Sequence, residues 1–277
     1  MAKEILSQDR NFDDLAKRFK RNVYGSLKGD IRLAILQRDC RAFLSHVKPF
    51  CEEGAHLTNK PWLILDAGGG QGQFSLDLAE AGHQVVICDI SQEMLALAKE
   101  AVTARGLSQK VLLLHCSLQD VSTHLETTAF AGLKFDLVIC HAVMEWLQFP
   151  DTLLPILTSC IKPEGYLSLT FYNVNSLIYK NLLRTNYKKI LEEDYHGYRG
   201  SLTPINPLDP QRVLEWVANL PLSILAYSGI RVFYDYILEP EDRKREPESV
   251  LELELRLSQQ EPFRSLGRYQ HLLMKRL

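Results

Sequence analysis

The sequence has no Cys-x-x-Cys pair, no apolar run long enough to cross a bilayer, no internal repeat and no low-complexity tract. Its six cysteines, Cys40, Cys51, Cys88, Cys116, Cys140 and Cys160, are scattered along 277 residues. That spacing excludes a zinc ribbon or a disulfide framework. It suits buried small hydrophobes in a reducing compartment, so no metal is expected. Met1 to Arg10 is polar and charged and lacks the apolar core of a secretory leader. The expectation is a cytoplasmic protein with no membrane partner, a monomer being favoured. A basic excess is missing too: 32 Lys and Arg face 34 Asp and Glu, for a formal charge of −2. Any surface for a polyanion must therefore be local. The 46% hydrophobic content is enough for one sizeable core, in one large domain or one domain with an elaboration.

What is present is organised around Trp62 to Gln73, Trp-Leu-Ile-Leu-Asp-Ala-Gly-Gly-Gly-Gln-Gly-Gln. Trp62 to Leu65 is a short apolar run that suits a strand buried on both faces. Asp66 then opens the pattern Asp-x-Gly-x-Gly-x-Gly, with Gly69 as an additional glycine, and Phe74 to Ala81 reads as a helix. A glycine turn between strand and helix lets backbone approach a ligand. A dinucleotide fingerprint, Gly-x-Gly-x-x-Gly, fails here, because counting from Gly68 places Gln73 where its third glycine should be. An acid at the strand tip would repel a pyrophosphate but suits a cation. S-adenosylmethionine carries an ammonium and a sulfonium and no phosphate. A second acid, Asp89, closes the next strand, Gln84 to Asp89, at about the twenty-residue spacing at which a carboxylate meets a ribose diol. The plainer reading is a strand, turn and helix whose glycines only tighten the turn.

Along the chain, Phe12, Leu15, Ala16, Phe19 and Val23 recur at helical spacing, with Lys17, Arg18, Lys20 and Arg21 between them. Leu27 to Val47 predicts a longer helix with Ile31, Ala34, Ile35, Phe43 and Leu44 on its apolar side. Residues 1–60 are thus expected to form an N-terminal helical cap and linker, and 61–277 the main domain. Ser91 is an N-cap candidate. Strands are expected at Val111 to Cys116, Phe135 to Cys140 and Tyr166 to Phe171, with a turn at Lys162 to Gly165. Strands alternating with helices imply a parallel sheet wound on both sides, with ligands beyond the carboxyl ends of the strands. An insertion of about 173–210 breaks this rhythm and mixes tyrosines with Lys180, Arg184, Lys188, Lys189 and Arg199. Such interleaving can grip phosphates and stack bases, or be an ordinary helical insert with a solvated face. A helix at Gln211 to Leu220, an acidic helix near Val250 to Leu257 and two strands, Ile224 to Phe233 and Tyr269 to Met274, complete the chain. The acidic residues Glu239, Glu241, Asp242, Glu252 and Glu254 are expected on a surface facing away from the site.

Asp66 to Gly72, Asp89-Ile90-Ser91 and Asp136 to Glu145 resemble the class I S-adenosylmethionine-dependent methyltransferases. Five outer stretches resemble a narrower family, the bacterial tRNA 5-carboxymethoxyuridine methyltransferases. They are Gln8 to Asp13, Arg21 to Gly25, Phe171-Tyr172-Asn173, Gly229 to Tyr236 and Leu266 to Tyr269. The resemblance implies a Rossmann-like α/β fold with a seven-stranded, mostly parallel sheet, helices on both faces, an antiparallel last strand and an insertion after the fifth. It implies S-adenosyl-L-methionine as cofactor and tRNA carrying 5-carboxymethoxyuridine as partner. For the cofactor, Gly68 and Gly69 would give close backbone approach, Asp66 and Asp89 would be the strand-tip acids, Leu118 and Gln119 would flank the adenine, His141 would lie at the methionine end, and Arg32 would reach the methionine carboxylate. Arg231 and Tyr172 are the candidates for positioning the acceptor, although Arg231 could equally be a structural ion pair with an acid. A carboxylate acceptor is already ionised at neutral pH and needs no general base. In keeping with that, no compelling acid/base or nucleophile set is visible. A methyltransferase of a small organic acid or quinone precursor, and a non-catalytic cofactor-binding module, stay open beside the tRNA enzyme.

Overall fold

The computed structural model describes residues 9–14, 26–51, 60–195, 197, 203–239 and 241–277. Most of the expected first helix, residues 15–25 with the basic run at 17–21, lies outside them. So do 52–59 of the linker, and Tyr198 and Arg199 of the insertion.

The sheet holds β1 (Leu63–Ala67), β2 (Gln84–Asp89), β3 (Val111–His115), β4 (Phe135–His141), β5 (Ile161–Tyr172), β6 (Leu222–Ile230) and β7 (Tyr269–Arg276). Their order is β3-β2-β1-β4-β5-β7-β6. The five leading strands are parallel, and β7 runs antiparallel to both β5 and β6. The period-two alternation of each strand splits the core into two layers. Leu65, Val86, Val138, Leu167 and Leu272 face one side. There they meet α4 (Val121–Leu125), α5 (Leu153–Cys160) and α8 (Pro210–Ala218). Ile64, Val85, Ile87, Leu137 and Leu273 face the other. On that side lie α1 (Leu27–Phe43), α2 (Ser75–Glu80), α3 (Gln92–Ala104) and α9 (Pro247–Leu257). The insertion contributes α6 (Val174–Leu183) and α7 (Tyr187–Leu191), and α10 (Phe263–Leu266) precedes β7. The glycine turn separates β1 from α2, and Ser91 caps α3 by accepting the Met94 N–H at 3.1 Å.

Four expectations need correction. The helix from Leu27 ends at Phe43, which is 40% exposed rather than on the apolar side. The predicted turn at Lys162 to Gly165 lies inside β5, where pairing with β4 slips between Phe135 and Leu137 and Glu164 has φ +65. β6 ends at Ile230, not Phe233, because the chain leaves the ladder at Arg231, whose φ is +60. What turns it is Glu254. Its buried carboxylate accepts the N–H groups of Val232, Phe233 and Tyr234 at 2.7, 3.1 and 2.9 Å. Glu254 is 0% exposed, so it is no outward-facing acid. The helical pattern of α9 carries it inward, and three backbone donors compensate its burial.

Candidate active site

The registers Ala67 with Cys88 and Asp89 with His115 bring the carboxyl ends of β1, β2 and β3 to one edge. A cavity opens there. Arg32, Asp66, Gly68, Gly69, Asp89, Leu118, Gln119 and His141 all line it. Tyr172 and Arg231 do not.

Two acids shape its floor. Asp66 is 4% exposed and accepts the Ser75 hydroxyl at 2.5 Å. Burial pushes its carboxyl up to about 6, against the pull of the Ser75 hydrogen bond. A Cβ on Gly69 would run into that same carboxyl group, and one on Gly68, where φ is +71, would lie 2.6 Å from Val143 Cγ2. The glycines are therefore needed by the chain's own packing as well as by any ligand. Asp89 accepts the Gly70 N–H on Oδ2 and the Ser91 N–H on Oδ1, both at 2.8 Å. Burial raises its pKa, and those two N–H groups oppose the rise. A carboxylate has about four acceptor sites, so each oxygen keeps one for a hydroxyl.

On the far side stands Arg32, carried by α1. It has no ion-pair or hydrogen-bond partner among the described residues, and its charge reaches Asp66, His141 and Glu145. His141 closes β4. Burial, then the neighbouring Arg32 and His271 side chains, drive its pKa well below the usual histidine value, so its ring is neutral. Its Nε2 lies 2.8 Å from Ser168 Oγ. That oxygen is 3.0 Å from His271 Nε2, and His271 Nδ1 is 2.7 Å from Asp39 Oδ2. This buried chain fixes the His141 ring from behind.

The sequence does not mark the segment 9–14 as part of the pocket wall, although Asp9, Arg10 and Phe12 line it. Asp9 accepts from Gln119 Nε2 at 3.1 Å and from the Gln148 N–H at 2.9 Å. Ser91 Oγ donates to Asp13 at 2.6 Å, and the Phe12 ring meets Trp146 edge-on at 4.7 Å between centroids. The stretch Gln8 to Asp13 stands out only through a family resemblance; periodicity cannot report a strap held by scattered side chains.

Beyond the cavity, over β5 and β7, lies a second cluster. Tyr172 is 2% exposed, and its hydroxyl has no hydrogen-bond partner among the described residues. The Arg268 guanidinium sits 4.5 Å from the centre of its ring. Arg231 pairs with Asp235 at 3.3 Å and lies over Tyr269 at 5.4 Å. Arg231, Arg268, Lys180 and Lys28 all act on the Asp235 charge. Burial would raise the Asp235 carboxyl, but these cations bring it down to about 2. Lys180, which the sequence places in an insertion that could either grip phosphates or present a solvated face, is half-buried, and desolvation lowers it to about 8. Between the clusters sits Glu145, 0% exposed, with both carboxyl oxygens lacking hydrogen bonds of normal geometry. Burial pushes it up to about 8, so it is a neutral acid at pH 7. Among the described residues no group of three or more His, Cys, Asp or Glu could hold a metal ion. No described helix is long and apolar enough to cross a membrane.

A seven-stranded sheet with one antiparallel strand and two acids at adjacent strand tips is the arrangement of a class I S-adenosylmethionine-dependent methyltransferase. In agreement, residues 65–169 match a family model described as "Methyltransferase domain". Magnesium protoporphyrin IX methyltransferase of Synechocystis, solved with bound SAH, shares the fold with a TM-score of 0.56 at 20% identity, over 96% of each chain. The chain is also 40% identical over 265 residues to the tRNA 5-carboxymethoxyuridine methyltransferase of Escherichia coli K12, covering 96% of this chain and 95% of that one. It belongs to that family. A ubiquinone biosynthesis O-methyltransferase of Haemophilus ducreyi is 31% identical over 110 residues, 40% of this chain and 45% of that one.

Proposed function

We propose that the protein methylates the carboxylate of 5-carboxymethoxyuridine at the wobble position of tRNA, giving the methyl ester, in the cytoplasm. The observation that carries this reading is the 40% identity with the Escherichia coli enzyme over 96% of the chain, a span too long to be confined to the cofactor half. The matches to ubiquinone biosynthesis O-methyltransferases are 31% identical over 40% of the chain or 25% identical over 63% of it, less in both identity and span, so a quinone precursor is the weaker acceptor.

The donor set fits S-adenosylmethionine. An acid, Asp66, and a cation, Arg32, both face one cavity, as an amino-acid zwitterion requires. Asp89 keeps acceptor capacity for ribose hydroxyls, and Leu118 and Gln119 offer an apolar and a polar flank to the adenine. His141, uncharged, adds no repulsion beside a sulfonium. Gly68 and Gly69 let the wall come close. When bound, the cofactor supplies a methyl group activated by the sulfonium.

The chain's own task is then alignment. The acceptor is an ionised carboxylate, so no residue need remove a proton. One of its oxygen lone pairs forms the new O–C bond, and the electrons of the breaking C–S bond stay on sulfur. A carboxylate and a sulfonium become a neutral ester and a neutral thioether, and no proton is released. Arg231 and Tyr172 belong to the acceptor side of this reading. The test is nucleoside mass spectrometry of tRNA from cells with and without the gene. The ester nucleoside should disappear on deletion and the free acid accumulate; unchanged ester levels would refute the assignment.

A further inference from the structure

The sheet's carboxyl edge divides in two. The cofactor residues lie over β3, β2, β1 and β4; the cation cluster lies over β5 and β7. Tyr172 ends β5 and pairs in register with Tyr269, which opens β7, and Arg268 directly precedes it. Two rings and two guanidinium groups therefore meet at one point of the edge.

Arg231 has a carboxylate partner, Asp235. Arg268 has no such partner among the described residues; its guanidinium lies against the Tyr172 ring, 4.5 Å from the centroid. Stacking on a ring covers a guanidinium face but leaves its N–H edge to bind. The Tyr172 hydroxyl is buried without a partner among the described residues. A buried polar group left unpaired is costly, so an orphan of this kind asks for an explanation. Tyr236 is satisfied by contrast, since its hydroxyl donates to the Leu266 carbonyl at 2.5 Å. Lys28 and Lys180 add positive charge, and all four cations act on one carboxylate, Asp235. Glu254, behind it, has its carboxylate engaged by three N–H groups. Among the described residues, the cluster holds more positive charge than its acids balance.

We propose that Arg268 and the Tyr172 hydroxyl clamp the acceptor's carboxylate, that Lys28 and Lys180 supply the surrounding positive field, and that the Arg231–Asp235 pair holds the cluster in shape. This rests on the proposed carboxyl methylation, and it shifts the main acceptor contact from Arg231 to Arg268. A guanidinium edge matches a planar carboxylate with two parallel hydrogen bonds, and a phenol adds a third donor. Glu145, buried between the two halves as a neutral acid, does not repel the incoming anion.

The charge change of the reaction sets what the clamp can do. The carboxylate loses its charge as the new bond forms, so a cation holds the substrate more tightly than the transition state or the ester. An interaction of that kind lowers KM rather than raising kcat. It also favours release of the neutral product.

The test compares wild type with Arg268→Met, Arg268→Lys and Tyr172→Phe, each as the complex with S-adenosylhomocysteine. The probes are the free acid nucleoside and its neutral amide, together with phenoxyacetate and phenoxyacetamide. Calorimetry gives an acid-to-amide affinity ratio, and thermal melting reports folding. Wild type should prefer both acids by at least about tenfold, as expected for charge-assisted hydrogen bonds. Arg268→Met should bring the ratio near one, and Tyr172→Phe, which keeps the packing, should reduce it severalfold. Arg268→Lys should recover part of it. In turnover on modified tRNA, Arg268→Met should raise KM more than it lowers kcat. A folded Arg268→Met or Tyr172→Phe protein that keeps the full ratio overturns the clamp. So does an Arg268→Met protein whose only change is a shallower salt dependence of tRNA binding, which would assign the cluster to backbone phosphate. If wild type fails to methylate the tRNA yet prefers phenoxyacetate through Arg268, the clamp stands and the substrate reading falls. If wild type methylates the tRNA and Arg268→Met keeps the acid preference, the reverse holds.

Discussion

The two halves of the sheet edge are built from opposite materials. Over β1 and β2 the wall is glycine backbone and two carboxylates, each anchored by hydrogen bonds from its own neighbourhood. Over β5 and β7 it is tyrosine rings and cations drawn from α1, α6, the loop after β6 and the start of β7. The glycines and acids of the first half sit in two short local segments, whereas the second half forms wholly by convergence. A local arrangement keeps its geometry when one member is altered. A convergent cluster of like charges depends on the acid at its centre.

The sharpest way to break this contrast is Asp235→Asn. It leaves four clustered cations without their counter-charge, so stability should fall by ~3–5 kcal/mol, as when one partner of a buried ion pair is removed. Urea denaturation measures it. A loss below about 1 kcal/mol would mean that the cations are solvated and the cluster is not one unit.

In the cofactor half, Asp89→Ala removes the charged acceptor proposed for the ribose. Affinity for S-adenosylmethionine should fall by ~1.5–3 kcal/mol, with little change in the acid-to-amide preference of the other half. Calorimetry showing unchanged affinity in a folded protein would remove Asp89 from the cofactor site.

Between the halves, Glu145 predicts a pH effect. Its pKa is raised by burial from an ordinary 4.5 to about 8. Between those values the folded state holds a proton that the unfolded state has lost. Stability must then decline as pH rises from about 4.5 to about 8, with a slope of at most ~1.4 kcal/mol per pH unit from this group, and stay level above. Glu145→Gln should flatten that decline, so the variant gains most over wild type near pH 8. Equal slopes for the two proteins in denaturation series from pH 5 to 8 would show that Glu145 is ionised in the fold.

The smallest effect belongs to the insertion. Arg184 and Lys188 are exposed, whereas Lys180 belongs to the buried cluster. Replacing Arg184, Lys188 and the neighbouring Lys189 by Ala should weaken tRNA binding. The log–log salt slope should fall by roughly one unit for each phosphate that is no longer neutralised. Cofactor affinity should not move. An unaltered slope places the RNA surface elsewhere.

The alternation of apolar runs with helical patterns is enough to order the strands and helices along the chain, and the acid-and-glycine pattern is enough to mark the strand edge where the cavity opens. Both are signals carried by neighbours in sequence. Sequence and structure part where a side chain acts across the fold. The end of β6 reads as strand through Phe233 because Val232 and Phe233 are β-formers, yet Glu254, about twenty residues on, captures their N–H groups. Glu254 itself reads as a surface acid, since nothing in its own helix shows which donors await it. Arg231 stands out because it sits in a distinctive stretch, while Arg268 lies in a shorter one with nothing beside it in sequence to mark it as a site residue.

By itself the sequence determined the parallel sheet, the strand-tip acids and the glycine turn, because hydrophobic period, strand length and allowed φ are properties of a few adjacent residues. Which charges lie close together follows from packing across the fold. Lys28, Lys180, Arg231 and Arg268 come from four distant parts of the chain to surround one carboxylate, Asp235. Their desolvation and mutual repulsion depend on distances in space, and those distances exist only once β5 and β7 are paired and α1 and α6 are packed beside them.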